Sequence, residues 1–136
     1  MKTIIFLAMI VLLAACSKEK TMEQTGTVAV TSCKEITTGK GTLTYCFDSV
    51  IVDARCPVNM VCVWQGYAAA RFIFSKNDEI KTVTMMPAPG VGVDKIYPTT
   101  VEVFGYQVRF IDLSQYPGLE PENYLKYNAT LSISEN

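Results

Sequence analysis

The sequence predicts an all-β domain, a single antiparallel β-sandwich or a small β-barrel of six to seven strands with little helix. Three observations carry this. Within YLKYNATLSI, residues 125–133 alternate apolar and polar without a break, the period-two signature of a half-buried strand. Other alternating segments are separated by turn signals at short intervals. Proline and glycine interrupt the remaining stretches too often for a helix of more than one turn.

In chain order, the first segment lies outside that domain. MKTIIFLAMIVLLAAC begins with Lys2, continues as an unbroken apolar run from Ile4 to Leu13, and ends in Ala14 and Ala15. This is the pattern of a secretory signal, and the run is short of the ~20 apolar residues a spanning helix needs. LAAC resembles the lipobox of bacterial lipoproteins. The resemblance implies that residues 1–15 are removed and that Cys16 becomes the lipidated first residue, carrying acyl chains such as palmitate. Each buried methylene then contributes about 0.8 kcal/mol to membrane anchorage. Ser17 stands where the inner-membrane retention signal of enteric bacteria has aspartate, so the same resemblance favours the outer membrane. Residues 16–26 read as the lipidated cysteine and a polar tether, and 27–136 as the β domain.

Within the domain, TVAVTS (27–32) and LTYCFDSVIVD (43–53) are the first strand candidates. YAAARFIFS places Ala68, Ala70, Phe72 and Phe74 on one face. KNDE (76–79) is a turn signal, and IKTVTMM (80–86) returns as a hairpin partner. PAPGVG (87–92) is loop. FGYQVRFIDL aligns Phe104, Tyr106, Val108 and Phe110, then shifts parity to Ile111 and Leu113, as a β-bulge does. SQYPGLEPENY (114–124) allows one helical turn at most. In the last strand, Leu125, Tyr127, Leu131 and Ile133 face the core. The long loops at 54–66, 87–97 and 114–123 suit the ends of a sandwich of immunoglobulin-like size.

Composition narrows the function. The 136 residues contain no histidine and carry a net charge of −1. Without histidine the Ser-His-Asp and Cys-His triads are excluded. Without a basic cluster, nucleic acid is not an expected partner. With Cys16 lipidated, four cysteines remain in an oxidising compartment, and two disulfides are the default. Cys33 and Cys46 sit evenly about Gly39-Lys40, so a hairpin centred there brings them face to face, with Ile36 opposite Leu43. That pairing leaves Cys56–Cys62, although four cysteines allow two other connectivities. No cofactor is expected.

The stretch DARCPVNMVCVWQGYA (53–68) concentrates the unusual residues. A Cys56–Cys62 bridge closes a small ring entered through Pro57, and the only tryptophan follows. Trp64 is expected to cover the bridge as a lid on one end of the core; an exposed Trp64 would instead mark a place for a partner. Asp53 and Arg55 flank the ring as a loop brace or as a polar recognition pair, and with Met60 and Trp64 they make the candidate binding tip. The stretch also resembles a motif of small secreted and lipid-anchored bacterial envelope proteins, D-S-R-C-P, four residues, then C-x-W-x-G-x-A. Asp53, Arg55, Cys56, Pro57, Cys62, Trp64, Gly66 and Ala68 match it, and Ala54 replaces its serine. The resemblance implies a β domain in the cell envelope and names no activity.

Three function classes follow. The leading one is a non-catalytic envelope lipoprotein that binds a protein, peptide or glycan through its loops, with a protease-inhibitor version that uses the 55–62 loop. An envelope hydrolase would draw on the carboxylates Asp48, Asp53, Asp94, Asp112, Glu120 and Glu122. A soft-metal site would draw on cysteines and Met60, Met85 and Met86, yet the cysteine spacing is not a CxxC redox motif, and adjacent methionines in a strand point apart.

Overall fold

The computed structural model describes residues 22–87, 96–117 and 126–136. The expected signal segment with Cys16, residues 88–95 of the expected 87–97 loop, and residues 118–125 with Leu125 lie outside the described residues. Among those described, eight strands form two antiparallel four-stranded sheets, and neither sheet closes into a barrel. The strands are β1 (Gln24–Ala29), β2 (Ser32–Thr38), β3 (Gly41–Asp53), β4 (Ala68–Lys76), β5 (Glu79–Met85), β6 (Thr100–Val103), β7 (Tyr106–Ser114) and β8 (Asn128–Glu135). One sheet runs β1-β8-β7-β6 and the other β2-β3-β4-β5.

Two elements raise the count above six or seven. TVAVTS does not stay one strand, because the chain changes sheets at Val30–Thr31. Thr31 takes the left-handed conformation at φ 62°. The Val30 amide donates to the Tyr127 carbonyl at 2.9 Å and the Thr31 amide to the Phe47 carbonyl at 2.7 Å, one to each sheet. The other addition is β6, an edge strand of four residues, too short for alternation to mark. β1 begins at Gln24, before the boundary expected at residue 27.

The large core-facing side chains of β3, β4, β7 and β8 recur with period two, while Ala69 of β4 is buried out of phase. Phe47, Phe72, Phe74, Val108, Phe110, Tyr127, Leu131 and Ile133 are all buried between the sheets. Phe72 is the hub: its ring lies 5.3 Å from Phe47, 6.4 Å from Phe74 and 5.0 Å from Phe110. The parity change in β7 is a bulge, with the β7–β8 register shifting between Phe110 and Asp112. Ile111 turns outward and Leu113 returns to the core. Ser132 belongs to the outer face of β8 but is only 5% exposed, because β8 is an inner strand and Glu23 reaches across to bond its hydroxyl.

Turn chemistry fixes the hairpins. Asn77 and Asp78 both have positive φ, as do Phe104 and Gly105, the type I′ geometry that matches strand twist. The β2–β3 hairpin turns about Gly39-Lys40 and sets Cys33 opposite Cys46 and Ile36 opposite Leu43. The Cys33–Cys46 disulfide forms there across a Cα–Cα distance of 4.0 Å.

β3 spans the sandwich, and each of its ends is tied to the other sheet. At the Gly41 end, the Tyr106 hydroxyl donates to the Gly41 carbonyl at 3.1 Å and lies 2.7 Å from the Thr38 hydroxyl. Glu135 accepts from the Lys40 amide at 3.2 Å, and the Lys40 ammonium caps the Gly105 carbonyl at 3.4 Å. The Asp53 end carries the candidate site.

Candidate functional site

Past the end of β3 and before the start of β4, the ladder continues. The Ala54 amide donates to the Tyr67 carbonyl at 2.8 Å and the Cys56 amide to the Gln65 carbonyl at 2.9 Å. The two chains therefore leave the sandwich as a paired arm. Gly66 permits this approach. It has φ +70°, and a Cβ there would stand 1.8 Å from the Ala54 carbonyl oxygen and 2.9 Å from the Arg55 Cα. No other residue fits a backbone contact of that kind.

The arm ends in the ring closed by Cys56–Cys62, with Cα atoms 5.9 Å apart. Inside it Pro57 starts a tight turn, closed by the Met60 amide donating to the Pro57 carbonyl at 3.1 Å. The ring and its exit strand turn their large apolar side chains to water: Val58, Met60, Val61, Val63 and Trp64 are all exposed, Val61 and Val63 completely. Single exposed apolar residues are ordinary on any protein, but five within seven positions form a patch.

Trp64 is 58% exposed and is not the lid of the core. The paired arm carries it beyond the end of the sandwich, where there is no core for an indole to cover. That end is closed instead by Arg55. Its guanidinium makes a two-point ion pair with Asp53, from Nε to Oδ1 at 2.8 Å and from Nη2 to Oδ2 at 2.7 Å. Nη1 donates to the Leu113 carbonyl at 2.6 Å, and Nη2 also donates to the Gln115 carbonyl. Tyr127 donates to Asp53 Oδ2 at 2.9 Å, and the Tyr116 ring stacks 4.1 Å from the guanidinium carbon. The pair's side chains are only 7% and 4% exposed. Burial works against the Arg55 charge, but the hydrogen bond and charge of Asp53 outweigh it and hold the guanidinium above its ordinary pKa. Asp53 and Arg55 thus do not form an outward recognition pair. Of the four residues expected at the tip, Met60 and Trp64 face water, and Asp53 and Arg55 are the brace beneath them.

Two tyrosines and two carbonyls of this cluster escape a reading of residues 53–68 alone. Gln115, at φ 65°, turns its carbonyl toward Arg55 from the end of β7, and nothing local marks it. The outward valines were not singled out from the sequence; the signal for them is apolar residues in and just after a ring too short to bury them.

A cleft of about 560 Å³ opens beside the arm, between Pro57, Gln65, Met86, Asp112 and Tyr116. The other candidate residues do not converge. Asp48 accepts from the Ser49 hydroxyl at 2.7 Å and lies 3.9 Å from Arg71. Asp53 is held by Arg55, and Asp112 lines the cleft; Asp94, Glu120 and Glu122 lie outside the described residues. Met85 and Met86 are both buried while Met60 stands on the ring. Compared with known protein families, with curated proteins and with solved structures, the chain matches none.

Proposed function

We propose that this chain is a non-catalytic lipoprotein of the bacterial cell envelope, tethered through Cys16 to the outer membrane, whose disulfide-held tip binds an envelope ligand. The anchor rests on the apolar leader and the LAAC resemblance. The binding role rests on one observation, the cluster of five outward apolar side chains on a ring that is braced at its base. Leaving such groups in water gains nothing for folding. Holding them rigid beforehand reduces the ordering cost of an encounter. A bridge across so small a ring, a ladder continued past the sheet and a buried ion pair all act to hold that one surface still.

The protease-inhibitor version fits less well. A protease cleft takes an extended segment, whereas Pro57 to Met60 is a closed turn.

The anchor is tested by labelling cells with an alkyne-bearing fatty acid. Label should appear on the wild-type chain and be absent from Cys16→Ser; equal label on both would remove the lipoprotein reading. Binding is tested by a photo-crosslinking side chain at Val61, with Glu79 as a control on an exposed strand. The same adducts from both positions would remove the tip as the binding surface.

A further inference from the structure

The ring stands at the pole of the sandwich far from the point of attachment. We propose that its occupant is a protein with an uncharged apolar recess, held away from the bilayer that anchors the chain. This inference rests on the lipoprotein reading above.

The topology fixes the direction. β1 pairs Gln24 with Ile133 and Ala29 with Asn128. Glu135, two residues beyond Ile133, bonds Lys40 at the Gly41 end of β3, while Tyr127, next to Asn128, bonds Asp53 at the other end. The chain therefore enters the sandwich near the Gly41 pole, and the ring projects from the Asp53 pole. The thirteen residues of β3 span roughly 40 Å at the usual strand rise, and the paired arm adds to that. From Cys16 to Gln24 the chain reaches at most about 28 Å when fully drawn out. A domain standing on its ring would lift Gln24 out of that reach. Contact with the bilayer would need the sandwich laid over and the tether taut, at the expense of the tether's own freedom.

The chemistry of the tip selects among partners that remain. Residues 56–66, CPVNMVCVWQG, include no charged side chain; Asp53 and Arg55 neutralise each other beneath the ring, and Asp112 lines the cleft beside it. The face offers valine, methionine and indole surface with Asn59 and Gln65 at its margin. Its complement is an apolar recess. A highly hydroxylated glycan or an acidic peptide would find only the amides of Asn59 and Gln65 to pair with and no cation. A second copy anchored in the same membrane presents its ring in the same direction, so two rings do not meet head on.

Trp64 is the only tryptophan, so its fluorescence reports on the tip alone. The full lipoprotein is reconstituted by its anchor into phosphatidylcholine vesicles with and without brominated acyl chains. Expected is the same Trp64 emission in both, with quenching by acrylamide added to the water. Loss of emission in the brominated vesicles would make the bilayer the occupant and overturn the proposal. Flotation of the same samples separates the two readings: a Cys16→Ser chain that floats as well as wild type removes the anchor, whatever the quenching shows. In cells, the crosslinker at Val61 is expected to give an adduct that protease digests and that Val63→Asp abolishes, with an unchanged melting curve. An adduct consisting of lipid, glycan or a second copy of the chain would overturn the proposal, as would no adduct at all.

Discussion

Arg55 is buried with a hydrogen-bonding partner on each of its three nitrogens, and that arrangement sets the consequence of losing it. Arg55→Ala would strand the Asp53 carboxylate in a nearly water-free site, which costs about 3–5 kcal/mol for buried pairs. Arg55→Lys keeps the charge but not the fork that meets two carboxylate oxygens and two carbonyls at once, so it should recover only part of the loss. Chemical denaturation of the three proteins checks this order, and a lysine variant as stable as wild type would show that the fork is not what matters. Gly66→Ala should cost about 2–4 kcal/mol, from the left-handed backbone and from overpacking against Ala54. Trp64→Ala, by contrast, should change stability by no more than about 0.5 kcal/mol, as exposed positions do. A large loss there would mean that the indole packs on the domain after all. An arginine in a sequence reads as surface. Arg55 is buried only because the carbonyls of Leu113 and Gln115 arrive 58 and 60 residues later, and no local pattern encodes that meeting.

At the scale of the element, the two disulfides do different work. Cys33–Cys46 joins β3 to a strand, β2, that is already paired with it from end to end, whereas Cys56–Cys62 holds a turn with only a few hydrogen bonds of its own. In the chain-entropy model the larger loop contributes about 3 kcal/mol and the smaller about 2 kcal/mol. Replacing Cys56 and Cys62 by alanine should therefore leave the β signature in far-UV circular dichroism intact and open residues 57–61 to proteolysis. Resistance of that segment would show that the ring is rigid without its bridge. The elements were the most legible part of the sequence. Alternation marked β4, β7 and β8, the parity change in β7 marked its bulge, and symmetry about Gly39-Lys40 marked the register of β2 on β3. The break at Val30–Thr31 was not legible, because it is made by amides reaching carbonyls of two different sheets.

Over the whole molecule, one end of β3 carries an acid-sensitive contact. At the Gly41 pole, hydrogen bonds from the Thr38 hydroxyl and the Lys40 amide hold the Glu135 carboxyl below its ordinary pKa. A lowered folded-state value favours the folded state at all pH above the ordinary glutamate range. The contribution is lost as the pH falls through the lowered value. Stability should thus decline on acidification below about pH 4, and Glu135→Gln should flatten that part of the profile. An unchanged profile would place the acid sensitivity elsewhere. The class of fold was readable because a sandwich follows from strand number and loop placement. The direction in which the tip points was not, since it depends on which end of β8 receives β1.

The Cys33–Cys46 bond has a mechanical consequence for a domain held by its N-terminus. Force applied from the N-terminal side enters at Gln24 and loads β1 against β8 first. Once β1 and the crossover give way, the chain can lengthen only as far as Cys33. There the pull passes through sulfur into Cys46, in the middle of β3, and residues 34–45 never carry load while the bond is intact. Under tension the protein should yield by a short first step and then hold, because β3 is flanked by β2 and β4. Reduction should add about 45 Å of contour length at roughly 3.5 Å per residue, a difference that single-molecule pulling resolves directly. For a chain anchored as proposed, this bond would make the tethered end of the domain a mechanical stop.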